Sequence, residues 1–166
     1  AGTPGPAGWH FVGVQLAEAR SFAALADGAP AATIGGLYDQ LWTRPGQIGL
    51  CQVDGSFHDI GTPRDYLDTS RALAAPGSDT TLSRGQDCQI DASAEVVASI
   101  LWDRVRIGPN CRVTASILGD DVQLPAGTHL HRQVAVPWSA DIAQTAPGRR
   151  SGDFWLVDLD GGASDV

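Results

Sequence analysis

IDASAEVVASILWDRVR (residues 90–106) and IGPNCRVTASILGDDVQ (residues 107–123) are two consecutive stretches that align without a gap. They share the core Val-x-Ala-Ser-Ile-Leu, and LPAGTHL (residues 124–130) begins a third copy at the same period of 17 residues. A fixed period of this kind is typical of folds in which similar units stack on one another. The repeat therefore decides the fold predicted for residues 86–137.

The spacing of apolar residues within the copies indicates which repeat fold this is. A helix would place them about 3.6 residues apart and a simple strand would alternate them. Here a large aliphatic residue recurs at steps of 6, 5 and 6, with Gly, Asn and Asp between. This six-residue spacing predicts a β-solenoid with triangular coils, whose inward aliphatic residues stack in columns such as Ile90, Ile107 and Leu124.

Small or β-branched residues lie two positions before each of these aliphatic residues. Cys88 and Cys111 occupy this inward position, so we interpret them as core side chains rather than reactive thiols. Together with Cys51 they make three cysteines without a CxxC pair. An odd number argues against a disulfide framework.

Composition excludes several classes of partner. A net charge of -8 argues against nucleic acid or an anionic membrane as a partner. No apolar run approaches 18 residues, and the N-terminus does not read as a signal peptide, so we predict a cytoplasmic protein. The chain contains no lysine and no methionine, and its Gly/Pro-rich opening suggests the downstream piece of a longer protein.

A second informative stretch, Asp59-Ile60-Gly61-Thr62-Pro63, precedes a predicted helix from about Pro63 to Ala74. Thr62 is suited to cap that helix, Pro63 fits its first turn, and Asp65 lies three residues after the cap. We predict a hairpin in front of it, with strands at 48–53 and 56–60 joined by Asp54-Gly55. Strand-to-helix corners of α/β enzymes often carry metal ligands and phosphate contacts, although a plain capped loop would have the same sequence.

The remaining segments complete the predicted organisation. Residues 9–16 read as a buried strand leading into a helix over 17–25, and Leu37, Tyr38, Leu41 and Trp42 lie on one face of a second helical stretch. We expect an α/β portion at 1–75, a linker at 76–85, the β-helix at 86–137 and a tail at 138–166. The apolar run Phe154-Trp155-Leu156-Val157 is expected to dock as a strand or to cover the open end of the solenoid.

With both halves placed, the chain resembles a known family. Residues 9–73 are similar to the C-terminal third of the nucleotidyltransferase domain of sugar-phosphate nucleotidyltransferases, particularly mannose-1-phosphate guanylyltransferase-like enzymes. The residues that carry the resemblance are Phe11-Val12-Gly13-Val14, Ile34-Gly35-Gly36-Leu37-Tyr38 and Phe57 to Leu67. Residues 86–137 resemble the left-handed β-helix that many such enzymes carry. The implied fold is an α/β remnant of a Rossmann-like nucleotidyltransferase domain followed by that β-helix.

The resemblance implies a reaction and a set of site residues. A sugar 1-phosphate attacks the α-phosphate of a nucleoside triphosphate and releases pyrophosphate, with Mg²⁺ neutralising the phosphate charge. Asp59 matches a metal-binding catalytic aspartate, while Gly13, Gly61 and Thr62 match sugar-phosphate-binding positions. The family's Gly-rich nucleotide loop, its first metal aspartate and its sugar-site Glu-Lys have no counterpart here. We therefore expect a C-terminal portion that is inactive alone.

Two other functions remain open at this point. The solenoid could make the chain a non-catalytic structural module that forms homo-oligomers. A hexapeptide-repeat acyltransferase is disfavoured, because no single histidine is placed on a well-formed groove. His129 and His131 would share one side of a strand, without a third metal ligand nearby. The nucleobase and the sugar are not specified by the sequence.

Overall fold

The computed structural model describes residues 11–74 and 81–160 of the chain. The chain divides into two compact units, one ending at Phe57 and the other beginning at His58. The expected segment bounds stay a prediction, and residues 76–80 of the expected linker lie outside the described residues.

The first unit contains only short helical segments among its described residues. They are a 3₁₀ turn at Ala19–Phe22, a kinked turn at Thr33–Leu37 and helix α1 at Tyr38–Trp42. The helical stretch predicted around Leu37 to Trp42 is confirmed, as the short helix α1 and the turn before it. The helix expected over 17–25 is reduced to the 3₁₀ turn at Ala19–Phe22. Leu37 is buried, but Trp42 is 77% exposed.

The strands predicted before the capped helix are wrong. No strand forms between Phe11 and Thr62, so the expected strands at 11–16, 48–53 and 56–60 and the Asp54-Gly55 hairpin are absent; residues 9 and 10 lie outside the described part. A strand needs a hydrogen-bonding neighbour, and an isolated hairpin is only marginally stable in water. The apolar residues that suggested strands are exposed instead, among them Val12, Val14, Leu16, Leu50 and Val53.

The second unit is a parallel β-helix of about three coils, as the repeat predicted. Helix α2 (Pro63–Leu73) precedes it, and each coil contributes one short strand to each of three sheets. Sheet A contains β1 (Ser83–Arg84), β4 (Ile100–Leu101), β7 (Ile117–Leu118) and β10 (Gln133–Pro137). Sheet B contains β2 (Gln89–Ile90), β5 (Arg106–Ile107) and β8 (Gln123–Leu124), and sheet C contains β3 (Glu95–Val97), β6 (Arg112–Thr114) and β9 (His129–His131).

The register confirms the predicted columns. Ile90 pairs with Ile107, which pairs with Leu124, and every parallel pair of the three coils is offset by 17 residues. The inward residues are buried, including Ile107 at 3% and Val113 at 0% exposure. Both Cys88 and Cys111 are buried in the same core, which confirms their interpretation as packing residues.

Three corners turn each coil, and one of them is tied by buried serines. Ser99 donates its hydroxyl to the carbonyl of Val97 (2.8 Å) and accepts the backbone N–H of Ser116 (3.1 Å), one coil later. Ser116 repeats the contact with the carbonyl of Thr114 (2.8 Å) and the backbone N–H of Gln133 (3.2 Å). Both serines are fully buried, so their hydroxyls satisfy backbone groups that water cannot reach.

The C-terminal tail closes the end of the solenoid, as expected for its apolar run. After helix α3 (Ala140–Thr145), strands β11 (Arg149–Ser151) and β12 (Phe154–Asp158) form an antiparallel hairpin. Strand β12 pairs with β10 and extends sheet A to six strands. Phe154 and Leu156 point into the solenoid core, where they cover its last coil.

No helix in the described ranges, 11–74 and 81–160, combines the length and apolar character needed to cross a bilayer.

Candidate functional site

The predicted cap of helix α2 is present in full. The Thr62 hydroxyl accepts the backbone N–H of Asp65 (3.1 Å), and the Asp65 carboxylate accepts the backbone N–H of Thr62 (3.0 Å). Pro63 occupies the first helical turn, and Thr62 lies in the extended region of backbone space. This reciprocal pair fixes the direction in which the chain enters the helix.

Helix α2 is docked on the outer face of sheet A. Leu67 is fully buried and lies in one apolar cluster with Ile100 and Ile117 from successive coils. Leu159, at the end of β12, belongs to the same cluster, and Tyr66 packs against it. The loop that carries Asp59, Gly61 and Thr62 is therefore attached to the solenoid through this helix.

Charged residues border the docked helix. Arg132, at the corner between β9 and β10, makes a bidentate ion pair with Asp160 (2.6 and 2.7 Å). The hydrogen bonds and charge of Arg132 lower the pKa of Asp160, and Arg64 on α2 adds to the effect. Arg64 also contacts Asp68 one turn along the helix (3.6 Å). Arg64 therefore acts on Asp160, just after the last strand, through its charge and not through a direct contact.

The structure brings three of the four predicted site residues onto one loop. Asp59, Gly61 and Thr62 are exposed immediately before α2. The Asp59 carboxylate makes no hydrogen bond or ion pair with any described residue. Thr62 differs, because its N–H and its hydroxyl both donate to Asp65. A phosphate contact from either group of Thr62 would require this capping pair to open.

The two glycines differ in what the fold requires of them. Gly13 lies in the first unit and has a φ of +81°, a conformation that favours glycine, with open space around it. Gly61 has an ordinary backbone conformation, and a Cβ added there would meet only Asp65 Oδ2 at 3.9 Å. The described fold therefore gives no reason for a glycine at position 61.

The described residues do not complete a metal site by themselves. No group of three or more His, Cys, Asp or Glu side chains in the described ranges is arranged to hold a metal ion. Asp59 offers one exposed carboxylate, a donor type that suits Mg²⁺, which is usually held by one or two carboxylates together with substrate phosphates. The Asp59 carboxylate suits Mg²⁺, but one carboxylate without the substrate phosphates does not complete the coordination shell, so Mg²⁺ binding at Asp59 stays a prediction.

A groove on the described solenoid lies away from Asp59. A groove of about 620 Å³ follows the outer face of sheet B, between Arg106 and the β11–β12 turn at Gly152 and Asp153. No histidine lines it. His129 and His131 are exposed on sheet C, on either side of the buried Leu130. The groove therefore lacks the histidine that the acyltransferase alternative called for, although two carboxylates, Asp91 and Asp153, line it.

The docking of α2 was missed in the sequence, although a signal for it exists. Ile100-Leu101 and Ile117-Leu118 are two-residue strands in which both side chains are buried. Since neighbouring strand residues point to opposite faces, such pairs indicate that the outer face is covered as well. The leucines face the solenoid core and the isoleucines face α2.

Comparison with known proteins gives two matches. Residues 79–136 match the family described as "GlmU-like, C-terminal hexapeptide". A glucose-1-phosphate adenylyltransferase from Koribacter versatilis (strain Ellin345) is 30% identical over 69 residues, which make up 42% of this chain and 16% of that protein. The chain thus matches a small part of that relative's length. No solved structure matches the chain significantly.

These matches support a relationship with sugar-phosphate nucleotidyltransferases and confirm the hexapeptide solenoid. The narrower resemblance to guanylyltransferases stays a prediction, because the relative found here is named as an adenylyltransferase.

Proposed function

We propose that this chain is the C-terminal portion of a sugar-1-phosphate nucleotidyltransferase. In that reaction the phosphate oxygen of a sugar 1-phosphate attacks the α-phosphorus of a nucleoside triphosphate, and pyrophosphate leaves. The mannose-1-phosphate guanylyltransferase-like type expected from the sequence is one form of this activity. The proposal concerns the reaction class and leaves the nucleobase and the sugar open.

One observation carries the proposal: an exposed carboxylate and an unconstrained glycine lie on a loop whose C-terminal end is fixed by the cap of α2. The Asp59 carboxylate is exposed, and Gly61 has no structural need to be glycine. The Thr62–Asp65 pair and the burial of Leu67 fix the loop to the solenoid. Groups that the fold positions but does not use are available to a ligand.

The site residues have different parts in this proposal. When bound, Mg²⁺ would neutralise phosphate charge, with Asp59 as one of its ligands. The backbone at Gly61 lies next to the start of α2, where N–H groups and the helix dipole favour an anion. Thr62 holds the loop through its pair with Asp65. Gly13, whose positive φ favours glycine, keeps its predicted role as a sugar-phosphate-binding position.

Amide NMR of the chain with glucose 1-phosphate and Mg²⁺ tests the binding half of the proposal. We expect the amides of Gly61 and its neighbours to shift, and we expect Asp59→Asn to remove the part of the shift that depends on Mg²⁺. Asp54→Asn is the matched control, because Asp54 is an exposed aspartate in the preceding loop. Unchanged Gly61 and Ile60 amides at millimolar ligand would contradict the proposal.

Gly61→Ala separates binding from folding. A Cβ at this position meets no close neighbour, so we expect the unfolding midpoint to stay unchanged while glucose 1-phosphate binding is lost. Retained binding would show that the phosphate does not approach Gly61.

We also propose that the chain alone does not turn over. It contains no lysine to contact the nucleotide phosphates, and the family's Gly-rich loop is absent from its sequence. A coupled pyrophosphate assay with sugar 1-phosphate, nucleoside triphosphate and Mg²⁺ should give no signal above a blank without protein. Steady pyrophosphate release that Asp59→Asn abolishes would overturn the proposed inactivity of the chain. It would at the same time support the proposed nucleotidyltransferase reaction.

A non-catalytic solenoid module that forms homo-oligomers is the second candidate. Thr62 and Asp65 cap helix α2. Because this structural role accounts for both residues without any ligand, it favours the non-catalytic candidate. In that case glucose 1-phosphate leaves every amide of residues 58–62 unchanged, and the NMR titration separates the two candidates.

A further inference from the structure

The outer face of sheet B carries three polar side chains in register, which we call the polar ladder: Gln89, Arg106 and Gln123. Gln89 pairs with Arg106, and Arg106 pairs with Gln123 on the next coil. All three are exposed, because the residue that follows each of them on its strand is the one that faces the core. The ladder forms the floor of the groove of about 620 Å³. This volume lies within the range of small-molecule sites, about 300–1,000 Å³.

A well-anchored turn closes one end of the groove. Gly152 and Asp153, between β11 and β12, form this wall. The carbonyl of Gly152 accepts the Nε–H of Arg150 (2.9 Å), and the carbonyl of Asp153 accepts the backbone N–H of Trp138 (2.9 Å). The Arg150 guanidinium also lies 3.9 Å from the ring centre of Trp138. The Asp153 carboxylate is therefore carried on a fixed backbone, and it makes no hydrogen bond or ion pair with any residue of the ranges 11–74 and 81–160.

Other polar groups in the groove are oriented by the fold and still have hydrogen-bonding capacity. Arg106 donates to the amide oxygen of Gln89 (3.0 Å), which leaves the Gln89 amino group and further guanidinium N–H groups as donors. One oxygen of Asp91 accepts both the hydroxyl (2.6 Å) and the backbone N–H (2.9 Å) of Ser93, and these bonds lower the pKa of Asp91. Its second oxygen is left as an acceptor. The Gln123 side chain makes no hydrogen bond within the described part of the chain.

The charges of the groove favour a neutral ligand. Two carboxylates, Asp91 and Asp153, and one guanidinium, Arg106, are the charged groups that line it, which is a surplus of one negative charge. A phosphate group would face both carboxylates, and an ammonium group would face the guanidinium, and such like-charge contacts are costly. A hydroxyl group donates one hydrogen bond and accepts others, so it suits the carboxylates and the guanidinium equally. A ligand with many hydroxyl groups and no charge therefore matches the groove.

We propose that this groove is a binding site for a neutral oligosaccharide. Gln89 and Arg106 donate to sugar hydroxyls, and Gln123 both donates and accepts. Asp91 and Asp153 accept from further hydroxyls. Neighbouring coils lie about 4.8 Å apart, so the ladder and the turn beyond it together fit two or three linked sugar rings. The groove shares no residue with the candidate site, and the proposal does not depend on the proposed nucleotidyltransferase reaction.

Proton–nitrogen NMR of the full chain tests the groove, with maltotriose and cellotriose as two neutral trisaccharides of different linkage. We expect at least one of them to shift the side-chain amide signals of Gln89 and Gln123 in a saturable manner. Glucose should bind at least about tenfold more weakly, because a single ring reaches fewer of the polar groups. Inorganic phosphate should leave the same signals unchanged.

Two variants remove contacts to the ligand without removing a contact of the fold. We expect Asp153→Ala to raise the dissociation constant of the trisaccharide at least about tenfold, and Gln123→Ala to raise it about threefold to tenfold, since a hydrogen bond to a charged group is the stronger one. Asp54→Ala and Gln86→Ala are the matched controls, because both residues are exposed and lie outside the groove. Urea unfolding establishes that each variant is folded.

The proposal is overturned if neither trisaccharide shifts the groove signals at millimolar concentration. It is also overturned if folded Asp153→Ala and Gln123→Ala bind the sugar as tightly as the parent. Saturable binding of spermidine or of phosphate in the groove, without binding of either sugar, would assign it to a charged ligand instead.

Discussion

At the scale of single residues, buried hydroxyls do much to define the coil. Ser99 and Ser116 occupy equivalent corners, where there is room only for a small side chain and where a backbone N–H of the next coil needs an acceptor. Cys88 and Cys111 occupy the related small position on another side, and their Sγ atoms lie within hydrogen-bonding range of the carbonyls of Trp102 (2.9 Å) and Pro125 (3.1 Å). Small polarizable or hydroxyl side chains are thus used where the backbone turns.

Ser99→Ala is expected to destabilise the solenoid more than the loss of a single hydroxyl group would suggest. It would leave the buried N–H of Ser116 without an acceptor, which costs about 1–3 kcal/mol. Ser93→Ala is the control, since Ser93 makes a similar contact to Asn110 (2.9 Å) one coil later but is exposed, so water replaces it. Urea denaturation measures both variants, and equal losses would contradict the role assigned to burial.

At the scale of elements, helix α2 connects the candidate site to the solenoid. Its cap orders the Asp59 loop, and its buried face lies on Ile100 and Ile117. Sequence reasoning predicted the cap because Thr62, Pro63 and Asp65 are local signals. It did not predict the docking, because the partner residues are far along the chain.

Leu67→Ala is expected to cost about 2–5 kcal/mol, the range for truncating a buried leucine. Leu67 has no exposed surface in the folded chain. Leu73→Ala on the same helix is the matched control, because Leu73 is 73% exposed, and its effect should stay within about 0.5 kcal/mol. Thermal unfolding followed by circular dichroism compares them. Similar melting temperatures for the two variants would refute the docking of α2.

At the scale of the whole molecule, we expect the coils to unfold cooperatively, because the stability of each coil depends on its interfaces with the neighbouring coils. Ile107 lies in the central column, paired with Ile90 on one side and Leu124 on the other. A defect there interrupts the stack in its middle.

Ile107→Asp is expected to unfold the solenoid rather than one coil. The change removes about 1.5–3 kcal/mol of apolar burial and places an unpaired carboxylate in the core. Arg106→Asp, one residue earlier and facing outward, is the control. Amide hydrogen exchange over residues 86–137 should rise throughout for the first variant and change only locally for the second. Protection that persists in the flanking coils would contradict this cooperativity.

Acid is also expected to destabilise the folded unit. Hydrogen bonds and charge from Arg104 lower the pKa of Asp121, those from Arg132 lower the pKa of Asp160, and hydrogen bonds from Ser93 lower the pKa of Asp91. A carboxyl whose folded pKa lies below its unfolded value of about 3.9 stabilises the fold above that pH, and this contribution is lost as the pH falls through the folded pKa. The urea midpoint should therefore drop below about pH 4, and Asp160→Asn should flatten that drop. A midpoint that is constant down to pH 2 would contradict it.

The sequence predicted what is periodic or local in this fold and missed what depends on distant neighbours. The 17-residue repeat established the columns through Ile107, and the cysteine positions followed from the same register. The Asp54-Gly55 turn signal wrongly suggested a hairpin with a strand at 48–53, because a local turn signal says nothing about whether the hairpin has a further strand to pair with. Asp59 and Gly61 were located by resemblance, and their ligands stay a prediction.

The uniform offset between coils restricts how the length of this protein can change. The end hairpin bonds to the edge of sheet A through backbone groups, which every coil presents in the same places. Duplicating one complete turn of 17 residues would therefore lengthen the column by about 4.8 Å and leave the terminal closure intact. Inserting a single residue would instead rotate every later side chain out of phase. Insertions and deletions that keep this fold are therefore expected to add or remove complete coils.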